Sequence, residues 1–269
     1  MADKVQLEIN GHVATITLNK PERLNALDVE MWEAIGDAAS SIDATRDARV
    51  CILKGTGGAF CAGLDVKAGS TLSALDVDGS PGTSLAAVRQ HLGHLQSCFN
   101  RLEACRVPVI AALERVCIGG GLELALCCDI RVAAEGTVFS IPEVQLGIVP
   151  DMGGTQRLPR TIGIGLAKEL IYSARRINAD QALRIGLVNA VHPAGDLHAR
   201  VAELADEIAA NAPLAVQAAK RSVNGTYWRD VGSWLDREAV EALAPLLSDD
   251  RKEGMRAAAE RKRANFRGR

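Results

Sequence analysis

The first 55 residues alternate between strand-like and helix-like patterns of apolar positions. Residues 5–18 contain two apolar runs rich in β-branched residues, and the Asn10-Gly11 pair between them is typical of a hairpin turn. Asp28 precedes an apolar repeat at helical spacing and therefore predicts a helix N-terminus. Residues 49–53 predict a buried strand. The chain thus opens with a hairpin, a helix and a further strand.

The pattern keeps alternating up to about residue 195 and then becomes helical. Further elements are predicted as a helix at about 84–104 and strands at 107–113, 129–133 and 137–141. Residues 66–83 are rich in Gly, Ser and Asp and predict a surface loop. The alternation predicts an α/β core over residues 1–195 and a helical region over residues 196–269. The apolar faces of that region could pack on a neighbouring subunit or on the core itself.

Composition and charge narrow the classes of function. The chain has 269 residues, 48% of them hydrophobic, which is enough for one sizeable core. Its 31 Lys and Arg residues are balanced by 33 Asp and Glu residues, so no basic field is available for nucleic acid or an anionic membrane. The sequence has neither a signal-peptide pattern nor a membrane-spanning one, and a cytoplasmic protein is expected.

The cysteine and histidine positions do not indicate a metal site. Seven cysteines are scattered without a Cys-x-x-Cys pair, which disfavours both a disulfide framework and a zinc site. His91 and His94 lie three residues apart in a predicted helix, but no third ligand has matching spacing. We therefore expect one exposed histidine, one half-buried histidine and no bound metal.

Two glycine-rich segments follow predicted strands. They read GTGGAFCAGLDVK at 55–67 and CIGGGLELALCC at 117–128. Glycines leave main-chain amides uncovered by any Cβ, so a ligand oxygen could approach these amides closely. Neither segment fits a dinucleotide-binding or P-loop pattern. The loops are therefore expected to bind some other oxyanion.

Three acidic residues lie in apolar surroundings. Glu123 follows the glycines in the first turn of a helix with almost no polar face, so it is expected to be enclosed and to have a raised pKa. The alternative is a simple helix cap. Glu143 and Asp151 lie in Pro- and Gly-shaped turns, where acids are ordinarily solvated, and Asp151 could cap the helix beginning near Thr155. The apolar neighbours of Glu143 favour a buried turn.

Taken together, these segments closely resemble the crotonase superfamily, specifically the enoyl-CoA hydratase/isomerase family. The matching segments are PERLNALD at 21–28, AFCAGLDVK at 59–67, IGGGLELALCCDIRVA at 118–133 and IPEVQLGIVPDMGGTQRLPR at 141–160. The resemblance covers nearly the whole chain. It implies an α/β fold, a crotonase-like spiral of β-β-α units with a C-terminal helical trimerisation region, that assembles as a homotrimer or hexamer.

The resemblance also implies a reaction, namely the hydration of a 2-enoyl-CoA thioester to a 3-hydroxyacyl-CoA. By motif match, the amides of Leu64 and Gly120 form an oxyanion hole for the thioester carbonyl, where an enolate develops. Glu123 and Glu143 match the acids that hold a water: Glu123 helps to activate it for attack at C3, and Glu143 exchanges a proton at C2. No separate cofactor is implied, because CoA is part of the substrate.

The CoA moiety is expected along the first glycine-rich loop. The match implies that backbone groups of Ala62 contact adenine, that Lys67 contacts phosphate, and that Asp65 and Arg23 belong to the same CoA-binding surface. An ordinary exposed loop lysine is the alternative for Lys67. Phe266 matches a position that closes over the adenine side in related enzymes.

One departure from the family pattern leaves the reaction open. Many hydratases have glycine where this chain has Asp151, and dienoyl-CoA isomerases of the family use an acid there together with the acid matched by Glu143. Double-bond isomerisation is therefore the main alternative to hydration. Paired glutamates at 123 and 143 favour hydration. A non-catalytic acyl-CoA-binding relative is disfavoured because both acids and both glycine loops are intact.

Overall fold

The computed structural model describes residues 3–65, 81–225 and 231–269. Lys67 and most of the predicted loop at 66–83 lie outside these residues. The strands are β1 Val5–Asn10, β2 Val13–Leu18, β3 Val50–Gly55, β4 Val109–Leu113, β5 Val116–Ile118, β6 Ile130–Ala134, β7 Val138–Ser140, β8 Ile177–Asn178 and β9 Ala190–His192. The helices are α1 Val29–Ala44, α2 Pro81–Glu103, α3 Gly120–Leu126, α4 Gly154–Ile162, α5 Ile164–Ser173, α6 Ala179–Arg184, α7 Leu197–Ala209, α8 Pro213–Gly225, α9 Val231–Leu247 and α10 Asp249–Glu260.

Two sheets organise the first part of the chain. The larger has the order β1-β2-β3-β4-β6-β9, and the smaller has the order β5-β7-β8. The predicted hairpin is confirmed, with β1 and β2 antiparallel and Gly11 at φ +58° in the turn. The remaining pairs in the large sheet are parallel. The Asp28 cap is also confirmed, because its carboxylate accepts from the Met31 amide at 3.1 Å.

Both faces of the large sheet are covered by helices. Alternate strand residues point to opposite faces, so one face packs with α1 and α2, and the other packs with α7. On the α7 side, Leu197, Val201 and Ala205 join Ile52 and Ile110 in a second buried cluster. The predicted helical character after residue 195 is confirmed, and α7 covers the sheet, whereas the exact division into two domains stays a prediction.

The last helices continue from α7 and end in a tail fixed to α10. The buried carboxylate of Asp250 accepts hydrogen bonds from the amides of Arg267 and Gly268, each at 2.7 Å. The buried Lys220 on α8 donates to Asp129 at 2.8 Å and to the carbonyl of Val107 at 2.9 Å, which ties α8 to the core. Within the described parts of the chain, no helix combines the length and apolar character needed to cross a membrane.

Candidate active site

Glu123 lies just beyond the end of a strand in the small sheet. β5 ends at Ile118, Gly119 turns the chain at φ +53°, and α3 begins at Gly120. Glu123 is 2% exposed, as predicted from its apolar neighbours. Its Oε1 accepts a hydrogen bond from the amide of Gly154 at 2.8 Å. The carboxylate therefore binds the N-terminus of α4, not that of its own helix.

Glu143 follows the neighbouring strand of the same sheet. β5 and β7 are parallel, with Ile118 opposite Ser140, so the segments that leave them emerge side by side. Glu143 begins a short 3₁₀ helix after β7 and is 8% exposed, so the carboxylate is enclosed as expected. The prediction of a buried turn is wrong, because Val144, Leu146 and Val149 are between 37% and 60% exposed. The Oε2 atom of Glu143 is buried and has no hydrogen-bond partner among the described residues. Pairing of β5 with β7 is thus what brings the two glutamates together.

Asp151 lies in the turn before α4. This residue lines the same cavity as Glu123 and Glu143, and its carbonyl accepts a hydrogen bond from Gln96 on α2 at 2.6 Å. The prediction that Asp151 could cap the following helix is wrong. Gly153 occupies the N-cap without a side-chain bond, and Glu123 satisfies the Gly154 amide instead. The start of α4 is therefore capped by Glu123, which is distant in sequence, and not by a residue next to the helix.

All three carboxyl groups hold their protons more tightly than usual. Burial, followed by the nearby charge of Glu143, raises the pKa of Glu123 to about 8. Burial also raises the pKa of Glu143 to about 7, with a smaller contribution from Asp151. The pKa of Asp151 is likewise raised by burial. Carboxyl groups with such values can both donate and accept protons near neutral pH.

The two predicted oxyanion-hole amides belong to neighbouring segments. The Cys61 amide donates to Val116 O at 3.0 Å, and the Ile118 amide donates to Cys61 O at 3.1 Å, so the glycine-rich loop runs beside β5. A Cβ added at Gly63 would lie 2.7 Å from Ile118 O and 3.5 Å from the Gly120 nitrogen, which explains the need for glycine there. The loop therefore approaches the start of α3 closely.

Where the glycine-rich loop meets the start of α3, most main-chain amides donate hydrogen bonds within the protein, but those of Leu64 and Gly120 do not. Ala62 donates to Leu24 O, and Asp65 donates to Leu27 O. Gly119 donates to Ser140 O. No described residue accepts a hydrogen bond from Leu64 N or Gly120 N. Both amides are thus available to an oxygen atom of a ligand.

A cavity of about 270 Å³ joins these groups. Leu64, Gly120, Glu123, Glu143 and Asp151 all line it. The other side chains around the cavity are largely apolar and include Trp32, Leu92, Leu95, Leu146, Ile148 and Met152. The cavity thus combines free amides, three acids and an apolar wall, an arrangement suited to a carbonyl group attached to a short apolar chain.

Some of the predicted CoA-binding residues lie on the glycine-rich loop, and others do not. Asp65 lies on the loop and forms ion pairs with Lys20 at 2.8 Å and Arg23 at 3.2 Å. Ala62 also lies on the loop, and since its amide donates to Leu24 O, its carbonyl is the group left to contact a ligand. Lys67 lies outside the described residues.

Phe266 is not brought to the glycine-rich loop of its own chain. Its carbonyl accepts a hydrogen bond at 2.9 Å from the side chain of Arg49, the residue just before β3. The loop leaves the other end of that strand after Gly55. Six residues of strand separate these ends by about 20 Å. Within one chain Phe266 therefore lies away from the start of this loop, and its closure over the adenine side stays a prediction.

Sequence reasoning missed several residues that shape the site. Asn25 is fully buried at φ +56° and fastens the segment before α1 to the glycine-rich loop, donating to Ala59 O at 2.8 Å and Thr56 O at 3.0 Å. A buried asparagine in a Leu-Asn-Ala sequence gives no such signal by itself. The role of Gly154 was also missed. A Cβ at this position would lie 2.8 Å from Glu123 Oε1, so a larger residue would crowd the carboxylate.

The two histidines have the predicted exposures. His94 is exposed and lies 2.8 Å from Glu33. His91 is half-buried, and it lines the cavity, which the sequence did not indicate. Among the described residues, no three His, Cys, Asp or Glu side chains converge in a metal-binding arrangement.

Comparison with known proteins identifies the family. The model of the enoyl-CoA hydratase/isomerase family matches residues 8–269. The putative enoyl-CoA hydratase/isomerase YngF of Bacillus subtilis is 41% identical over 100% of both chains. Crotonyl-CoA hydratase of Syntrophomonas wolfei is 38% identical over 98% of each, and a peroxisomal Delta(3,5)-Delta(2,4)-dienoyl-CoA isomerase of Arabidopsis thaliana is 36% identical over 97% of this chain and 95% of its own.

The fold is also shared with solved enzymes. The crystal structure of enoyl-CoA hydratase from Bacillus anthracis superposes with a TM-score of 0.89 at 34% identity, covering 99% of this chain and 100% of the other. This likeness confirms the expected crotonase-like α/β fold with its C-terminal helices. The chain belongs to the enoyl-CoA hydratase/isomerase family.

Proposed function

We propose that the protein is an enoyl-CoA hydratase that adds water across the 2,3 double bond of a 2-enoyl-CoA thioester. One observation carries the proposal: Glu123 and Glu143 line a single cavity beside the unoccupied amides of Leu64 and Gly120. Paired acids and an oxyanion hole are the groups that addition to a thioester-conjugated double bond requires. The names of relatives such as crotonyl-CoA hydratase agree with this reaction.

The proposed mechanism assigns one role to each group. The thioester carbonyl oxygen accepts hydrogen bonds from Leu64 N and Gly120 N, which stabilise the negative charge of the enolate. Glu123, held by the Gly154 amide, helps to remove a proton from the water that attacks C3. Glu143 delivers a proton to C2, giving the 3-hydroxyacyl-CoA. CoA belongs to the substrate, and no further cofactor enters the reaction.

Double-bond isomerisation is the second candidate, and a specific observation favours it. Asp151 does not cap α4, it lines the same cavity as Glu143, and its charge contributes to the raised pKa of Glu143. Two acids on one cavity can move a proton from one carbon of a conjugated chain to another without adding water. A dienoyl-CoA isomerase is among the similar proteins.

Product mass and acid-specific variants separate the two candidates. Purified protein would be given crotonyl-CoA, a 3-enoyl-CoA and a 3,5-dienoyl-CoA, and the products identified by mass spectrometry. A hydratase adds the mass of one water to crotonyl-CoA. An isomerase converts either of the other thioesters into a product of unchanged mass with a shifted double bond, which chromatographic separation and the ultraviolet absorbance of the conjugated thioester would detect. No turnover of any thioester would leave only the acyl-CoA-binding alternative.

The variants Glu123→Gln, Glu143→Gln and Asp151→Asn then assign the roles. For a hydratase, the first two should each lower kcat/KM by about 10²-fold or more, whereas Asp151→Asn should change it by less than about tenfold. For an isomerase, Glu143→Gln and Asp151→Asn should cause the large losses. Glu8→Gln on exposed β1 is the control. Equal minor losses in all four variants would contradict both mechanisms.

We also propose that the protein assembles as a homotrimer or hexamer through its C-terminal helices. Val240, Leu243, Leu246 and Leu247 on α9 are between 52% and 81% exposed, and a second copy of the chain would cover such an apolar surface. Light scattering of the purified protein should give three or six times the chain mass of 28.5 kDa. A monomer would contradict this assembly.

A further inference from the structure

Buried polar atoms without partners are concentrated around one cavity. Among the described residues, the side-chain atoms in this state are Trp32 Nε1, His91 Nε2, Glu143 Oε2 and Arg157 Nε. The first three belong to residues that line the candidate active site. A buried polar atom left without a partner is destabilising, so such atoms in a cavity indicate a ligand that supplies the missing bonds. The mechanism above uses Glu143 but neither Trp32 nor His91.

Trp32 lies beside the predicted oxyanion hole. Its side chain is almost completely buried and stacks on Phe99 with ring centroids 5.3 Å apart. A Cβ added at Gly120 would lie 3.4 Å from Cη2 of the indole. The six-membered ring of Trp32 is therefore close to Gly120, whose amide belongs to the predicted oxyanion hole. Packing alone would be satisfied by phenylalanine, whereas an indole N–H normally requires an acceptor when buried.

His91 brings a second polar group to the apolar part of the cavity. It is on α2, one turn before Leu95, and both residues line the cavity with Leu92. The other histidine of this helix, His94, is exposed and engages Glu33. His91 therefore introduces a hydrogen-bonding nitrogen into a wall whose nearest neighbours in sequence are leucine.

The charges around the cavity restrict what these two nitrogens can bind. The acidic side chains that line it within the described residues are Glu123, Glu143 and Asp151, and no described Lys or Arg lines it. A carboxylate on the acyl chain would find no Lys or Arg among these residues, and the burial that raises the pKa of all three acids would also disfavour its negative charge. An uncharged oxygen can accept from the Trp32 indole and bond to His91 without this penalty.

We propose that Trp32 and His91 form a specificity site for an uncharged oxygen, a hydroxyl or carbonyl, carried by the acyl chain beyond C3. The inference rests on the proposed function, since it names the substrate class of the same site. The described cavity of about 270 Å³ lies near the lower limit for ligand pockets, which favours a short acyl chain. The preferred substrate is thus a short polar 2-enoyl-CoA, and crotonyl-CoA is the simpler analogue.

Matched thioesters test the proposal directly. The wild-type protein would be assayed with 2-butenoyl-CoA and 2-hexenoyl-CoA, each with and without a hydroxyl on its terminal carbon. In at least one pair, the hydroxylated thioester should have a kcat/KM about tenfold higher, because a site with unpaired polar groups discriminates against the analogue that leaves them unpaired. No preference in either pair would overturn the proposal and would leave an ordered water as the partner of both nitrogens.

Variants then assign the preference to the two residues. Trp32→Phe removes the N–H while keeping an aromatic ring, and His91→Leu removes the second nitrogen. Each should reduce the ratio of the two kcat/KM values by about tenfold, whereas the control His94→Leu, on the same helix, should leave that ratio unchanged. A ratio that changes equally in all three variants would contradict the assignment. If a variant does not fold, the wild-type ratios still decide the question.

Binding measurements keep this test separate from that of the reaction. Saturated butyryl-CoA and 4-hydroxybutyryl-CoA, with the corresponding six-carbon pair, have no double bond to react, and calorimetry would compare their dissociation constants. Tighter binding of a hydroxylated member together with no turnover of any enoyl thioester would refute the proposed reaction and support the specificity site. Turnover of crotonyl-CoA without preference in binding or rate would refute the specificity site alone.

Discussion

Replacing Glu123 by glutamine should stabilise the protein at neutral pH and above. The folded protein raises the pKa of this carboxyl from 4.5 to about 8. The folded state therefore binds the proton more tightly than the unfolded chain does, and stability falls as the pH rises between these values. Glutamine has nearly the same shape, does not ionise, and keeps an oxygen that can accept from the Gly154 amide.

The size of the effect follows from the position of the pKa. One pKa unit corresponds to about 1.4 kcal/mol. At pH 7 the folded protein largely retains the proton on Glu123 while the unfolded chain has lost it, so the carboxyl lowers the free energy of unfolding by about 3 kcal/mol. At pH 5 the corresponding figure is below about 1 kcal/mol. The variant should regain most of this difference at pH 7 and little of it at pH 5.

Thermal unfolding at several pH values provides the assay. Wild type and Glu123→Gln would be compared at pH 5, 7 and 8.5, at one fixed protein concentration because association of subunits also shifts Tm. A gain of several degrees at pH 7 that grows at pH 8.5 is expected. Glu8→Gln, at an exposed position, should give no such trend. A Tm difference independent of pH, or a less stable Glu123→Gln at pH 8.5, would refute the reasoning.

Two further substitutions and the pH dependence of activity have defined outcomes. Gly119→Ala should lower turnover by at least about 10²-fold, because its Cβ would lie 2.7 Å from Glu143 Oε1 at a backbone φ of +53°; steady-state kinetics check this. Asp28→Ala should lower the free energy of unfolding by about 1 kcal/mol in denaturant titrations, since the Met31 amide loses its cap. The pH profile of kcat/KM should be bell-shaped and centred between about pH 7 and 8, because the Glu123–Glu143 pair loses its two protons near these values and activity requires one acid protonated and the other ionised.

Local signals were sufficient for much of the secondary structure. The Asn10-Gly11 turn, the Asp28 cap and the helical periodicity after residue 195 all depend on residues close together in the chain, and the structure confirms each. The enclosure of Glu123 was also predictable, because its sequence neighbours leave no polar face. Such features follow from hydrogen bonds and side-chain contacts within a few residues.

The geometry of the candidate site was not predictable in this way. The strand Val116–Ile118 is only three residues long and was not predicted, yet its pairing with β7 is what aligns Glu123 and Glu143. The helix at Gly154 is capped by Glu123, 31 residues earlier in the chain, so the local expectation for Asp151 failed. In both cases the partner that decides the outcome is distant in sequence.

The sequence by itself determined the types of element, the apolar core and the family to which the motifs belong. Only the tertiary structure decided that two amides remain unoccupied, that three acids share one cavity, and that Trp32 and His91 border it. The physical reason is that burial and hydrogen-bond satisfaction depend on which distant segments pack together. Composition and spacing specify residues, whereas desolvation and unpaired polar atoms arise only when the surrounding segments are in place.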